Sequence, residues 1–183
     1  SGVPVWYGLT DAYHPTQILA DLLTIKENFG SLNDCTVAYV GDGRNNVANS
    51  LMMGCAKAGV RYVCCTPKEL WPDEEVLSEA EAVAKRNGVD IRVFDDPVKG
   101  VKGANVLYTD VWVSMGEPVE VWEERIADLA PYQVNAALMA ATGKESTVFM
   151  HCLPAYHDLK TTIGKEMGER FARDAMEVTD EVF

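Results

Sequence analysis

Five short apolar runs recur along the 183-residue chain, at Cys35–Val40, Val60–Cys65, Asp90–Phe94, Asn105–Thr109 and Thr147–Met150, with helical patterns between most of them. This alternation limits the fold more than any other feature. Uninterrupted apolar runs of this length suit strands buried on both faces, and parallel neighbours need crossovers of a dozen or more residues. The chain therefore reads as α/β, a Rossmann-like doubly wound parallel sheet of about five strands with helices on both faces. A first helix is expected over His14–Phe29, with Ile18, Leu19, Leu22, Leu23 and Ile25 apolar and Gly30 as its stop. Others run from Asn46 to Gly59, from Pro72 to about Asn87, over Val119–Leu129 and over Asn135–Ala141. The expected strand order is 3-2-1-4-5. Residues 1–13, where Val3, Val5 and Trp6 alternate, read as the last strand and loop of a preceding unit, and 177–183 as ordered sequence that stops short.

Charge and cysteine content narrow the partners. Sixteen Lys and Arg against 28 Asp and Glu give a net charge of −12, with 48% apolar residues to build a core. Such an acidic chain lacks the clustered cations that nucleic acid or an anionic membrane requires, so small molecules are the expected ligands. No apolar run approaches the roughly 20 residues of a membrane span, and the first Lys or Arg is Lys26, so no secretory leader is read. Five cysteines without a C-x-x-C pair suggest reduced thiols in a cytoplasmic protein. Neighbours Cys64 and Cys65 should point to opposite faces of one strand, a poor start for a metal site. No metal and no cofactor are expected.

Ligands of open α/β sheets sit beyond the carboxyl ends of the strands, where strand order reverses. Three loops fall on that edge: Gly41-Asp42-Gly43-Arg44-Asn45-Asn46, Asp110-Val111-Trp112-Val113-Ser114-Met115-Gly116, and His151-Cys152-Leu153-Pro154. With order 3-2-1-4-5 the first two face each other, and Asn46, Asp110 and Ser114 line one crevice. Gly41-x-Gly43 invites a dinucleotide reading that fails twice. Asn46 stands at the third glycine position, and the second strand ends in Cys65-Thr66-Pro67 without an acid for a ribose hydroxyl. A helix N-terminus with a forked amide remains, which suits a carboxylate. The alternative makes Asn45 and Asn46 plain N-caps. Asp110 either grips an ammonium group or caps its own turn. His151 and Cys152 should diverge rather than form a nucleophile–base dyad, and Cys152 is either partnered from elsewhere or a buried structural thiol. His14 and Gln17 share one helix face at i, i+3, where both can reach a small ligand, unless His14 serves only as a cap.

Taken together, His14-Pro15-Thr16-Gln17, Gly41-Asp42-Gly43-Arg44-Asn45-Asn46, Asp110-Val111-Trp112-Val113-Ser114-Met115-Gly116, Pro131-Tyr132-Gln133-Val134-Asn135 and His151-Cys152-Leu153-Pro154 resemble the signature segments of the ornithine carbamoyltransferases. Order and separations match, over essentially the whole chain. The resemblance implies that residues 31–183 are the carboxyl-terminal, ornithine-binding domain. Residues 14–30 would then be the helix crossing from a carbamoyl phosphate domain, and 1–13 the end of that preceding domain. It implies that His14 and Gln17 hold the carbonyl oxygen and amino group of carbamoyl phosphate. Asn46, Asp110, Ser114 and Met115 would hold the α-amino and α-carboxylate groups of ornithine. Cys152 would lie near the reacting δ-amine, with Leu153 offering its carbonyl to the carbamoyl amino group. His14, Asp110 and Cys152 are thus the implied catalytic residues, in an enzyme that works as a homotrimer or a multiple of trimers. The phosphate-clamping Ser-x-Arg-Thr-Arg segment and the Arg-bearing last helix of the family do not occur in this sequence, so the chain alone is expected to be inactive. Two rival readings are a transcarbamylase for another amine and a non-catalytic Rossmann-like binding module.

Overall fold

All five apolar runs form strands of one parallel sheet in the computed structural model, which describes residues 2–113 and 119–183. They are β1 (Thr36–Val40), β2 (Arg61–Cys65), β3 (Ile91–Phe94), β4 (Val106–Thr109) and β5 (Val148–His151). The order is β3-β2-β1-β4-β5, the one on which the crevice reading depends. Tyr39 pairs with Cys64 on one side and Tyr108 on the other, and Thr109 with His151. This register brings the carboxyl ends of β1, β4 and β5 to one edge.

Among the described residues, seven helices surround the sheet: α1 (Pro15–Phe29), α2 (Asn46–Ala58), α3 (Glu74–Arg86), α4 (Pro97–Gly100), α5 (Val119–Leu129), α6 (Ala136–Ala141) and α7 (Thr162–Phe171). Strand residues alternate between two separate cores. Val37, Tyr39, Cys64 and Tyr108 pack with Ile18, Ile25, Leu51 and Met52 of α1 and α2 and with Val83 of α3. On the other face, Ala38, Val40, Cys65 and Leu107 pack with Ile126, Leu129, Leu138 and Met167 of α5, α6 and α7. Cys64 and Cys65 thus take opposite faces, as the period of a strand demands.

Helix α1 is held tightly to α2. The backbone N–H of His14 donates to Ser50 Oγ at 2.7 Å, and a Cβ added at Gly54 would lie 2.4 Å from Ile18 Cγ2, so only glycine permits this approach. The outer side of α1 stays open, with Leu19 66% and Leu23 56% exposed.

One expectation needs correction, and two helices were not foreseen. Val3, Val5 and Trp6 are exposed and belong to no assigned strand, with Trp6 89% accessible. Helices α4 and α7 escaped the periodicity. The first is a single turn built by Asp96, which accepts from Lys99 N. In α7, Gly164 and Gly168 weaken the intrinsic helical signal, while the Thr161 cap and buried Met167 supply the stability. The last residues are ordered: Val178 bridges Val134 in parallel, and Glu177 is fully buried. Among the described residues, no helix is long and apolar enough to cross a membrane.

Candidate functional site

The loops after β1 and β4 meet at the switch point through Asn45. As N-cap of α2 its Oδ1 accepts from Ala48 N at 2.6 Å, while its amide nitrogen donates to Tyr39 Oη at 2.8 Å and to Asp110 Oδ2 at 3.1 Å. The plain capping reading thus holds for Asn45, which the sequence did not place in the site. Asn46, one residue into the helix, donates instead to the Thr10 carbonyl at 2.9 Å. Gly43 serves packing: an added Cβ would lie 2.7 Å from the Leu70 carbonyl. Thr66, where a dinucleotide fold would carry its acid, accepts from Gly43 N, and Asp42 pairs with Arg125 of α5.

Asp110 is the hub of this edge. Only 8% of it is exposed, and its Oδ1 accepts from Val111 N at 2.8 Å and from the Cys152 thiol at 2.9 Å. It therefore caps its own turn, one of the two alternatives, while also holding the Cys152 thiol. Burial raises its pKa above the ordinary aspartate range, opposed by the Cys152 and Val111 hydrogen bonds and the nearby His151. Burial, then the Asp110 charge, pushes the Cys152 thiol well up. This arrangement keeps the proton on sulfur and makes Cys152 a donor.

His151 and Cys152 form no hydrogen bond with each other, although their ligating atoms and one of Asp110 lie within 4.8 Å of one another. They diverge less than the sequence implied. The Nδ1 of His151 accepts from Leu153 N at 2.8 Å, and its Nε2 faces Glu177 Oε1 at 3.3 Å. An accepting Nδ1 puts the proton of the neutral ring on Nε2, directed at Glu177. Glu177 Oε1 also accepts from Tyr156 N at 2.6 Å. Leu153, 59% exposed, has a left-handed φ of 59° and a cis bond to Pro154.

At the start of α1, His14 Nδ1 lies 3.0 Å from the Gly8 carbonyl, which can only accept, so that nitrogen carries the proton. The other nitrogen can donate to a ligand oxygen only in the imidazolium form. Gln17 donates to Asp21 Oδ1 at 3.0 Å, and Tyr108 donates to Asp21 Oδ2 at 2.9 Å. The stacked rings of Tyr39 and Tyr108, 6.3 Å apart, lie between this cluster and the Asn45–Asp110 pair.

Of the sequence-derived site residues, the structure joins Asp110 to Cys152 directly. His14 and Gln17 sit together at one helix end, and Asn46 is tied to the segment before α1. Ser114 and Met115 lie outside the described residues. Asn45, Asp21 and Glu177 were missed. A second group of close ligating atoms, His157, Asp158 and Asp180, lies near the surface, but His157 bonds Asp180 and Asp158 pairs with Lys160. Both three-residue groups are satisfied internally, and neither offers the four ligands of a structural zinc site.

The parallel α/β sheet thus carries a buried carboxylate and a thiol donor at its switch point. The chain belongs to the aspartate/ornithine carbamoyltransferase family, whose Asp/Orn binding domain matches residues 33–183. It is 56% identical over all 183 residues to a catabolic ornithine carbamoyltransferase of Treponema denticola and 57% identical to an ornithine carbamoyltransferase of Streptococcus suis, in each case covering 54% of the relative. Among solved structures it resembles ornithine carbamoyltransferase from Pyrococcus furiosus, with TM-score 0.84 and 44% identity over 100% of this chain and 52% of that one. The anabolic enzyme from Campylobacter jejuni gives TM-score 0.82 at 30% identity, covering 100% and 54% of the two chains. The chain thus spans about half the length of the curated relatives it matches.

Proposed function

We propose that the chain is the ornithine-binding half of an ornithine carbamoyltransferase, which transfers the carbamoyl group of carbamoyl phosphate to the δ-amine of ornithine and releases citrulline and phosphate. The observation that carries this reading is the buried Asp110 carboxylate at the switch point, ringed by three hydrogen-bond donors and suited to an α-ammonium group. Identity of 56–57% to ornithine carbamoyltransferases supports it. In this reading Asn46, Ser114 and Met115 complete the ornithine contacts. His14 and Gln17 take the carbonyl oxygen and amino group of carbamoyl phosphate, and Leu153 offers its carbonyl. Residues 14–30 link this domain to a carbamoyl phosphate domain preceding it, and the whole enzyme is a cytoplasmic trimer or multiple of trimers.

The reaction needs a neutral amine, a polarised carbonyl and a stabilised departing phosphate. An alkylamine has a pKa near 10.4, so presenting it uncharged at pH 7 costs about 5 kcal/mol. Activity is therefore expected to rise with pH. Cys152, held protonated beside Asp110, favours a positional role as donor over that of a base. Phosphate clamping by arginines falls to the rest of the protein, so this chain alone is expected to be inactive.

The test is citrulline and phosphate release by the full-length protein, with ornithine compared against aspartate, putrescine and N-acetylornithine. Preference for another amine would overturn the substrate assignment. Tighter calorimetric binding of NAD than of ornithine would favour a non-catalytic module.

A further inference from the structure

Asp21 has no part in the chemistry above, yet it is only 4% exposed on the core side of α1, one turn from Gln17. Both its oxygens are taken, Oδ1 by the Gln17 amide nitrogen at 3.0 Å and Oδ2 by the Tyr108 hydroxyl at 2.9 Å. Burying a carboxylate costs stability, and its raised pKa records that cost, which the Gln17 and Tyr108 bonds and the nearby His14 only partly offset. An apolar residue would fill the same place without the penalty. What the carboxylate supplies is directionality. Ionised, it can only accept, so the amide of Gln17 must turn its NH2 group inward. The Gln17 carbonyl oxygen is then the end left for a ligand, and it can receive a hydrogen bond from an N–H group. Tyr108 fixes Asp21 from β4, two residues before Asp110, which follows the end of that strand.

We propose that Asp21 is a positioning residue that locks the Gln17 amide with its carbonyl oxygen toward the ligand, anchored in turn by Tyr108. This deepens, and rests on, the reading of Gln17 as partner of the carbamoyl amino group. The site so oriented selects a ligand with an N–H donor at that point, as in a carbamoyl group, over one with an oxygen there.

The test is Asp21→Asn in the full-length protein. Asparagine keeps the size but presents both a donor and an acceptor, so Gln17 can face it with either end. The KM for carbamoyl phosphate should rise about five- to tenfold, the worth of one hydrogen bond. The KM for ornithine at saturating carbamoyl phosphate should stay within about twofold. Because the effect passes through Gln17, Asp21→Asn in a Gln17→Ala background should raise the carbamoyl phosphate KM no further. Independent, multiplying effects of the two substitutions would overturn the proposal, as would an unchanged carbamoyl phosphate KM in a folded Asp21→Asn enzyme. If that variant is insoluble, Asp21→Ser carries the same expectation, since a hydroxyl also donates or accepts. A wild-type protein that forms no citrulline would refute the functional reading and the ligand role of Gln17 with it. A wild-type protein that forms citrulline, with Asp21→Asn unaffected, would refute the positioning role alone.

Discussion

Replacing Asp110 by Asn keeps the shape of the side chain and removes its charge, so it separates a ligand-binding carboxylate from a turn cap. The structural cost can be worked from the hydrogen bonds. The retained oxygen still accepts from Val111 N and the Cys152 thiol, while the new amide nitrogen faces that of Asn45. Asn45 cannot turn over to accommodate it, because its oxygen holds Ala48 N. One buried donor pair is left unsatisfied, worth about 1–3 kcal/mol. Against this stands the relief of a carboxylate whose pKa burial has raised, so the net change in stability should be small. Binding should respond far more. Stranding one partner of a desolvated ion pair costs about 3–5 kcal/mol. At 1.36 kcal/mol per decade that is roughly two to four powers of ten in kcat/KM for ornithine. Binding of carbamoyl phosphate should hardly change. Steady-state kinetics for both substrates on the full-length protein, with a thermal melt as control, decide the matter. A folded Asp110→Asn enzyme with normal ornithine KM and kcat would remove Asp110 from the site and dissolve the crevice between β1 and β4 as the ornithine pocket.

Asn45→Ser retains a capping oxygen but loses the amide donors to Asp110 and Tyr39, so the ornithine KM should rise about tenfold with little change in melting temperature; a lower melting temperature at unchanged KM would make Asn45 a cap and nothing more. The raised Asp110 carboxyl means that the folded state holds its proton more tightly than the unfolded chain, so this group lowers stability progressively as pH rises above about 3.8. Melts of wild type and Asp110→Asn across that range should show the variant gaining on wild type toward neutral pH, and parallel curves would contradict a raised Asp110 carboxyl. Gly54→Ala places a methyl group 2.4 Å from Ile18 Cγ2, and it should destabilise by about 1–3 kcal/mol while raising the carbamoyl phosphate KM through displacement of His14 and Gln17. A neutral outcome in melts and kinetics would mean that α1 adjusts freely on α2.

The sheet was legible because strands buried on both faces admit little but apolar residues, and the strand order then put Asn45, Asp110 and Cys152 at one edge. The division of labour between Asn45 and Asn46 was not legible. It depends on which residue has extended φ and ψ at the helix start, and composition is blind to a one-residue frame. Asp21 left a usable signal, an acid four residues after Gln17 among Ile18, Leu22 and Ile25 on a helix. Glu177 left none. It stands 26 residues beyond His151 in a segment without periodicity, and only the tertiary fold returns it to the sheet edge. Alternation at Val3, Val5 and Trp6 records two-sidedness only, and these residues stand outside the assigned strands.

The sheet also sorts the sulfur chemistry of the chain. Cys35, Cys55, Cys64 and Cys65 are sealed in the two cores, and Cys152 alone has partial access to solvent. Its thiolate fraction at neutral pH is small because burial, and after it the neighbouring Asp110 carboxylate, hold the proton on sulfur. Alkylating reagents and mild oxidants should therefore find one slow target per folded chain and five fast ones once it unfolds. Thiol titration then doubles as a count of unfolded molecules, and loss of sulfhydryls in storage marks denaturation before it marks damage to the site.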